Sequence, residues 1–208
     1  MNWKKETVEL KKRRSLAKKQ GGEDAVNLQH AKGRLTLRER IDILLDKDSF
    51  QEQGEIAGGS EINEKGEIES LTPANFILGF GKISGRQVVV GGEDFTVKGG
   101  SPNSAGLRKS VYTEDLALKY KVPLIRLHEG GGGSVAGPGK KGKGYGGDPV
   151  FSKSRFKSVA DTLREIPVAS AALGPVAGMP AARFVASLLL KTYLTIRNNI
   201  FYILCTYC

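Results

Sequence analysis

Ten of the chain's 27 glycines lie between Gly130 and Gly147. Glycine loses more backbone freedom on ordering than any other residue, so this stretch is neither helix nor regular strand. It reads as a loop whose backbone must come close to something. An apolar run, VPLIRL (122–127), leads into it, and a segment of helical spacing (151–164) leads out. Any fold for this chain must therefore end a buried strand in a glycine loop and restart in a helix.

The same grammar recurs downstream. PVASAAL (167–173) reads as a second buried strand, Gly174-Pro175 as its turn, and an alanine-rich helix starts near Gly178. Upstream, FILGFGKI (76–83) and RQVVVGG (86–92) flank Ser84-Gly85 and predict a hairpin with a two-residue turn. Phe95 and Val97 suggest a short further strand. Leu107, Val111, Leu116 and Leu118 give residues 103–120 a helical pattern. TLRERIDILL (36–45) predicts a helix opened by a capping box, Thr36 with Glu39. Residues 4–19 predict an exposed helical arm stopped by Gly21-Gly22, and 51–70 a loop or weak hairpin. Strands alternating with helices imply parallel pairing and an α/β core. With 208 residues the chain is long enough for one ordinary domain or one lobe of a larger one.

Charge and composition narrow the function. The net charge of +10 is concentrated in two places. Residues 1–20 carry eight basic side chains against two acidic ones, and residues 140–157 carry six against one. The second cluster follows the glycine loop, which favours an anionic ligand such as a phosphate there. Aromatic residues are few and not interleaved with the basic ones, so no stacking platform for nucleic acid is expected. Both cysteines, Cys205 and Cys208, lie in the last four residues, and no second pair stands by to make a zinc ribbon. No secretory signal or membrane segment is visible. The expected compartment is intracellular: mitochondrial matrix in a eukaryote, cytoplasm otherwise.

Side-chain chemistry is scarce. The two histidines, His30 and His128, have no cluster of carboxylates or thiols in the nearby sequence, so no metal site is expected. His128 reads as a strand-end residue. No serine sits in a nucleophile elbow. Gly137, Gly139 and Gly142 match a dinucleotide-binding pattern, and Gly137, Gly142 and Lys143 match most of a P-loop. Gly144 stands where the P-loop needs Ser or Thr, and such matches arise by chance in a glycine tract. What remains is backbone chemistry. Two glycine-bearing turns follow two strands, and ligands of α/β folds sit outside the carboxyl ends of strands. Two such turns can converge on one developing oxyanion.

The residues themselves resemble a known family. HAKGRLTLRERIDILLDKDSFQE (30–52), GFGKISGRQVVVGGEDFTVKGGS (79–101), DLALKYKVPLIRLHEGGG (115–132) and IPVASAALGPVAGMPAARFVAS (166–187) occur in order. Together they resemble the N-terminal half of biotin-dependent acyl-CoA carboxyltransferases, the β subunits of propionyl-CoA and methylcrotonyl-CoA carboxylases.

The resemblance implies a crotonase-like fold, a spiral of ββα units, incomplete here and preceded by the helical arm. It implies three regions: a helical lead-in (1–70), an N-terminal carboxyltransferase domain (71–187), and a divergent tail (188–208) foreign to the fold. The implied reaction moves a carboxyl group from carboxybiotin, carried by a partner subunit or domain, to the α-carbon of an acyl-CoA thioester, with the biotin ureido nitrogen taking the α-proton. The implied partners are acyl-CoA, a biotin carboxylase or biotin carrier subunit, and further copies of the chain. Carried over by position, the oxyanion donors are the backbone N–H groups of Gly178 and Met179. The loop at Gly130, Gly131, Gly132 and Gly133 would face the thioester. Lys140, Lys141 and Lys143 suit the CoA phosphates by charge and place. The alternatives are a non-catalytic or truncated crotonase-like fragment and, more distantly, a nucleotide-binding α/β protein.

Overall fold

The computed structural model describes residues 3–130 and 155–192. Three helices open the chain: α1 (Lys4–Lys18), α2 (Glu23–Ala31) and α3 (Leu37–Leu44). The capping box of α3 is formed as its sequence requires: Thr36 accepts from Glu39 N–H, and the Glu39 carboxylate accepts from Thr36 N–H. Helix α2 has no counterpart in the sequence reading, because its short EDAVNLQHA run carries little amphipathic pattern.

Strands β1 (Gln51–Glu52), β4 (Phe76–Ile83) and β5 (Arg86–Glu93) pair antiparallel. Strands β6 (Leu124–Gly130), β7 (Val168–Val176) and β8 (Leu189–Thr192) then continue the sheet in parallel. The order is β1-β4-β5-β6-β7-β8. Strands β2 (Gly58–Ile62) and β3 (Ile68–Pro73) make a separate antiparallel pair within the predicted loop or hairpin. The β4–β5 turn is the two-residue turn expected, with Ser84 at φ 50° and Gly85 at φ 78°. Both its N–H groups donate to the Asp46 carboxylate, at 2.9 and 2.7 Å.

Period-two alternation divides the sheet into two buried faces. Ile77, Val88, Val90, Ile125 and Leu127 face one way and pack on Leu37, Ile41 and Leu44 of α3 and on Leu45 just after it. Phe76, Leu78, Val89 and Leu124 face the other way. They meet Leu116 and Ala117 of α4 (Ser104–Tyr120), with Leu163 of α5 (Arg155–Glu165) beside them. The helix α6 (Met179–Val185) follows β7. Among the described residues, no helix is long and apolar enough to cross a membrane.

Four expectations are corrected. Phe95 and Val97 do not form a strand; the chain turns there into a short 3-10 segment, Lys98–Gly100, because Asp94 captures the N–H and hydroxyl of Thr96. Gly174-Pro175 is no turn, since β7 runs through it to Val176. A Cβ on Gly174 would lie 2.5 Å from the Glu129 carboxylate, so this glycine serves close packing between strands. The boundary at residue 70 divides nothing, because α3 builds one face of the core and β1 extends the main sheet. Finally, the tail is not wholly outside the fold: Leu189–Thr192 pair with Ala169–Ala172 of β7.

Candidate active site

The carboxyl ends of the adjacent strands β5, β6 and β7 bring together residues far apart in sequence. Glu93 ends β5, His128 and Gly130 lie at the end of β6, and Gly178 lies two residues past β7. Parallel pairing sets Gly92 beside Leu127, so the next residues, Glu93 and His128, come side by side. His128 Nδ1 lies 3.0 Å from Glu93 Oε2, and both side chains are buried.

Between His128 and Gly130 the register with β7 shifts, and Gly130 comes level with Val176. The Ala177 N–H donates to the Gly130 carbonyl at 3.0 Å. The two glycine-bearing strand ends therefore meet. Gly130 has φ 96°, and a Cβ there would lie 2.6 Å from the Gly99 carbonyl oxygen. Only glycine suits both the backbone angle and the space. Gly131, Gly132, Gly133, Lys140, Lys141 and Lys143 lie outside the described residues.

Gly178, at φ 64° and ψ −139°, is the residue before α6, and Met179 is the helix's first residue. The first N–H groups of a helix have no intrahelical acceptor, so these two are available to a ligand. A cavity of about 200 Å³ opens beside them. Its wall includes Asn75, Phe76, Glu93, Ser110, Gly178, Met179 and Arg183. The rim is held by Asn75, whose Nδ2 donates to the Gly100 carbonyl and whose Oδ1 accepts from Asn103 N–H. Asn103 in turn caps α4 by accepting from Gly106 N–H at 2.7 Å.

Behind the cavity lies a buried charge cluster. Glu114 Oε1 accepts from Arg126 at 2.6 Å and from Arg183 at 2.7 Å, which ties α4, β6 and α6 together. Burial brings the Arg126 guanidinium down to about 10, against the opposing pull of Glu114. Phe184 of α6 meets the His128 ring edge to face, with centroids 6.4 Å apart. On the far side of β6, Glu129 is held by Gln29 at 3.1 Å, by Arg34 at 3.4 Å and by Arg40. These three donors fasten the N-terminal segment to the strand that carries Gly130.

Of the sequence-predicted site residues, Gly130, Gly178 and Met179 lie among the described residues at these strand ends, and Glu93, Asn75, Glu114 and Arg183, which stand around them, carried no expectation. The available signal was a set of charged residues on otherwise apolar strand ends and helix faces. A larger groove of about 680 Å³, lined by Lys18, Arg38, Asp42, Asp48 and Glu55, contains none of the glycine turns.

Comparison with known proteins identifies the family and the fold. Residues 28–183 match the family model described as the carboxyl transferase domain. The propionyl-CoA carboxylase beta chain of Roseobacter denitrificans is 32% identical over 170 residues, covering 82% of this chain and 32% of that protein. The corresponding chain of Saccharopolyspora erythraea is 35% identical over 171 residues, covering 82% and 30%. The chain thus spans about a third of the length of the curated relatives it matches. Among solved structures, the transcarboxylase 12S hexamer with methylmalonyl-CoA and methylmalonic acid bound superposes with a TM-score of 0.68. It is 25% identical, with 89% of this chain and 35% of that one covered. The fold is accordingly the crotonase-like fold of carboxyltransferases.

Proposed function

The chain belongs to the carboxyl transferase domain family, and from that premise we propose that it forms the acyl-CoA side of a carboxyltransferase site. The substrate is an acyl-CoA thioester, and the reaction adds a carboxyl group at its α-carbon. The observation that carries this reading is the bond joining the Gly130 and Ala177 strand ends next to Gly178 and Met179, which line the cavity. Carboxybiotin, brought by a biotin carrier partner, supplies the carboxyl group. None of the residues described here is assigned to holding it.

The chemistry left to this chain is electrostatic. Loss of the α-proton moves negative charge onto the thioester oxygen. Donors already in place at that point stabilise the charge without reorganising, which is where catalysis is gained. The N–H groups of Gly178 and Met179 are those donors in this proposal. Because the donors are backbone groups, methionine at 179 keeps the function, and its side chain becomes part of the acyl-facing wall. The glycine loop after Gly130 lets the backbone approach the thioester, and Lys140, Lys141 and Lys143 meet the CoA phosphates. Transcarboxylase 12S assembles as a hexamer, and by likeness this chain acts within a homo-oligomer.

Calorimetric titration of the chain with propionyl-CoA, CoA and ATP tests the reading. Binding of propionyl-CoA and CoA, with ATP at least about tenfold weaker, is expected. Preferential binding of ATP would transfer the chain to the nucleotide-binding alternative.

A further inference from the structure

Carboxyl transfer as proposed above asks for oxyanion donors and no side-chain base from this chain. Yet the cavity beside Gly178 contains a carboxylate. Glu93 is 4% exposed and lines the same wall as Gly178, Met179 and Arg183. Burying a carboxylate in a cavity whose wall includes Phe76, Leu107, Pro102 and Pro180 is unfavourable unless something compensates it. The compensation is built in. His128 engages Oε2 at 3.0 Å, and the Arg126–Glu114–Arg183 cluster adds positive charge behind it. His128 is itself 1% exposed, and its Nε2 has no hydrogen-bond partner. Buried ion pairs add little to stability, and a buried histidine with an orphaned nitrogen beside a desolvated carboxylate calls for an explanation beyond packing.

We propose that Glu93 is a proton acceptor for the α-carbon of the bound thioester, oriented by His128, so that the chain enolises acyl-CoA without biotin. The inference rests on the acyl-CoA reading above. In the step, the α-carbon–hydrogen bond breaks and the proton passes to the Glu93 carboxylate. The electron pair moves onto the thioester oxygen, where the Gly178 and Met179 N–H groups receive the charge. The reverse step returns a proton to the α-carbon, so nothing is oxidised and no co-reactant is consumed. His128 is a positioning residue: its bond to Oε2 fixes the carboxylate and leaves Oε1 to take the proton. A base in hydrogen-bond reach contributes about 10²–10⁴-fold to such a transfer.

The experiment is deuterium exchange. The 208-residue chain is incubated with propionyl-CoA in D₂O without biotin, and loss of the α-proton signal is followed by NMR alongside calorimetric affinity. Exchange well above the protein-free rate is expected. Glu93→Gln should lower it by at least about 10²-fold with propionyl-CoA affinity unchanged. Glu93→Asp, which keeps the carboxylate, should restore part of the rate. His128→Gln should reduce the rate, again without changing affinity. A wild-type chain that binds propionyl-CoA yet exchanges no α-proton overturns this inference and leaves the acyl-CoA reading standing. Exchange by Glu93→Gln at the wild-type rate does the same. Absence of propionyl-CoA binding overturns the reading beneath it, and this inference with it.

Discussion

The Ala177 N–H and the Gly130 carbonyl form a 3.0 Å hydrogen bond that closes the register shift between β6 and β7. Past this bond β7 leads through Gly178 into α6. The bond therefore fixes the distance between the two turns that the proposed site requires. Its geometry depends on a left-handed residue at 130.

Gly130→Ala should destabilise the chain by about 2–4 kcal/mol, combining a φ of 96° with a Cβ driven into the backbone of Gly99 and Gly100. Urea unfolding measures it. A loss below about 0.5 kcal/mol would show that the 3-10 segment yields freely and that Gly130 is not a fixed point.

Gly178→Pro removes an N–H and cannot adopt φ 64°. Carboxyl transfer by the enzyme that contains this chain should fall by about 10²–10³-fold, as when other oxyanion donors are removed. Steady-state kinetics on folded protein decides it, and a near-normal kcat would sink the assignment.

Replacing Lys140, Lys141 and Lys143 together with alanine should weaken CoA binding. The effect should be larger at low salt, because exposed charges lose influence beyond a Debye length of about 8 Å at physiological ionic strength. Titrations at low and moderate salt provide the comparison. Equal affinities at low ionic strength would make these lysines ordinary surface.

Arg40→Leu should cost about 3–5 kcal/mol, because it strips the Glu129 carboxylate of a buried partner. Exchanging Glu129 for Gln in the same background should recover part of that loss, since a neutral amide tolerates the site better. Denaturant midpoints of the single and double variants report both effects.

Lys109 makes stability depend on pH. Burial brings its ammonium down to about 8, although Glu52 pulls the other way. Between about pH 8 and the ordinary value of 10.5, the folded chain then binds fewer protons than the unfolded one, so this residue's contribution to stability rises with pH. At pH 7 Lys109→Met should leave the chain equally stable or more stable by about 1–2 kcal/mol, because Arg38 still neutralises Glu52. That gain should shrink across the window. Unfolding curves at pH 7 and 9.5 test the sign, and a gain that grew with pH would contradict it.

The parts of the fold legible in the sequence were those specified by local chemistry. The Thr36–Glu39 box, the Ser84-Gly85 turn and the run of three valines in β5 each carry their own instruction within a few residues. Gly174-Pro175 misled because its local reading is a turn, whereas the deciding contact is Glu129 on the neighbouring strand. Phe95 and Val97 misled for a similar reason, since Asp94 reshapes the backbone beyond it. At the candidate site, Gly130 and Gly178 were legible as glycines following apolar strands. Glu93 and Arg183 were not, because only the strand order and the packing of α6 bring them to one cavity.

The anchoring of the N-terminal segment has a consequence for the order of events during synthesis. Gln29 bonds to a residue 100 positions later in the chain, and Arg34 and Arg40 bond to the same glutamate. A ribosome adding about 5–20 residues per second reaches Glu129 roughly 5–20 s after it has passed these donors. For that interval the first forty residues have no anchor on β6, and the hydrophobic side of α3 lacks its partners Ile125 and Leu127. The clamp that holds the finished site in register thus cannot close until β6 has been made, and a chaperone able to shield α3 would act in that window.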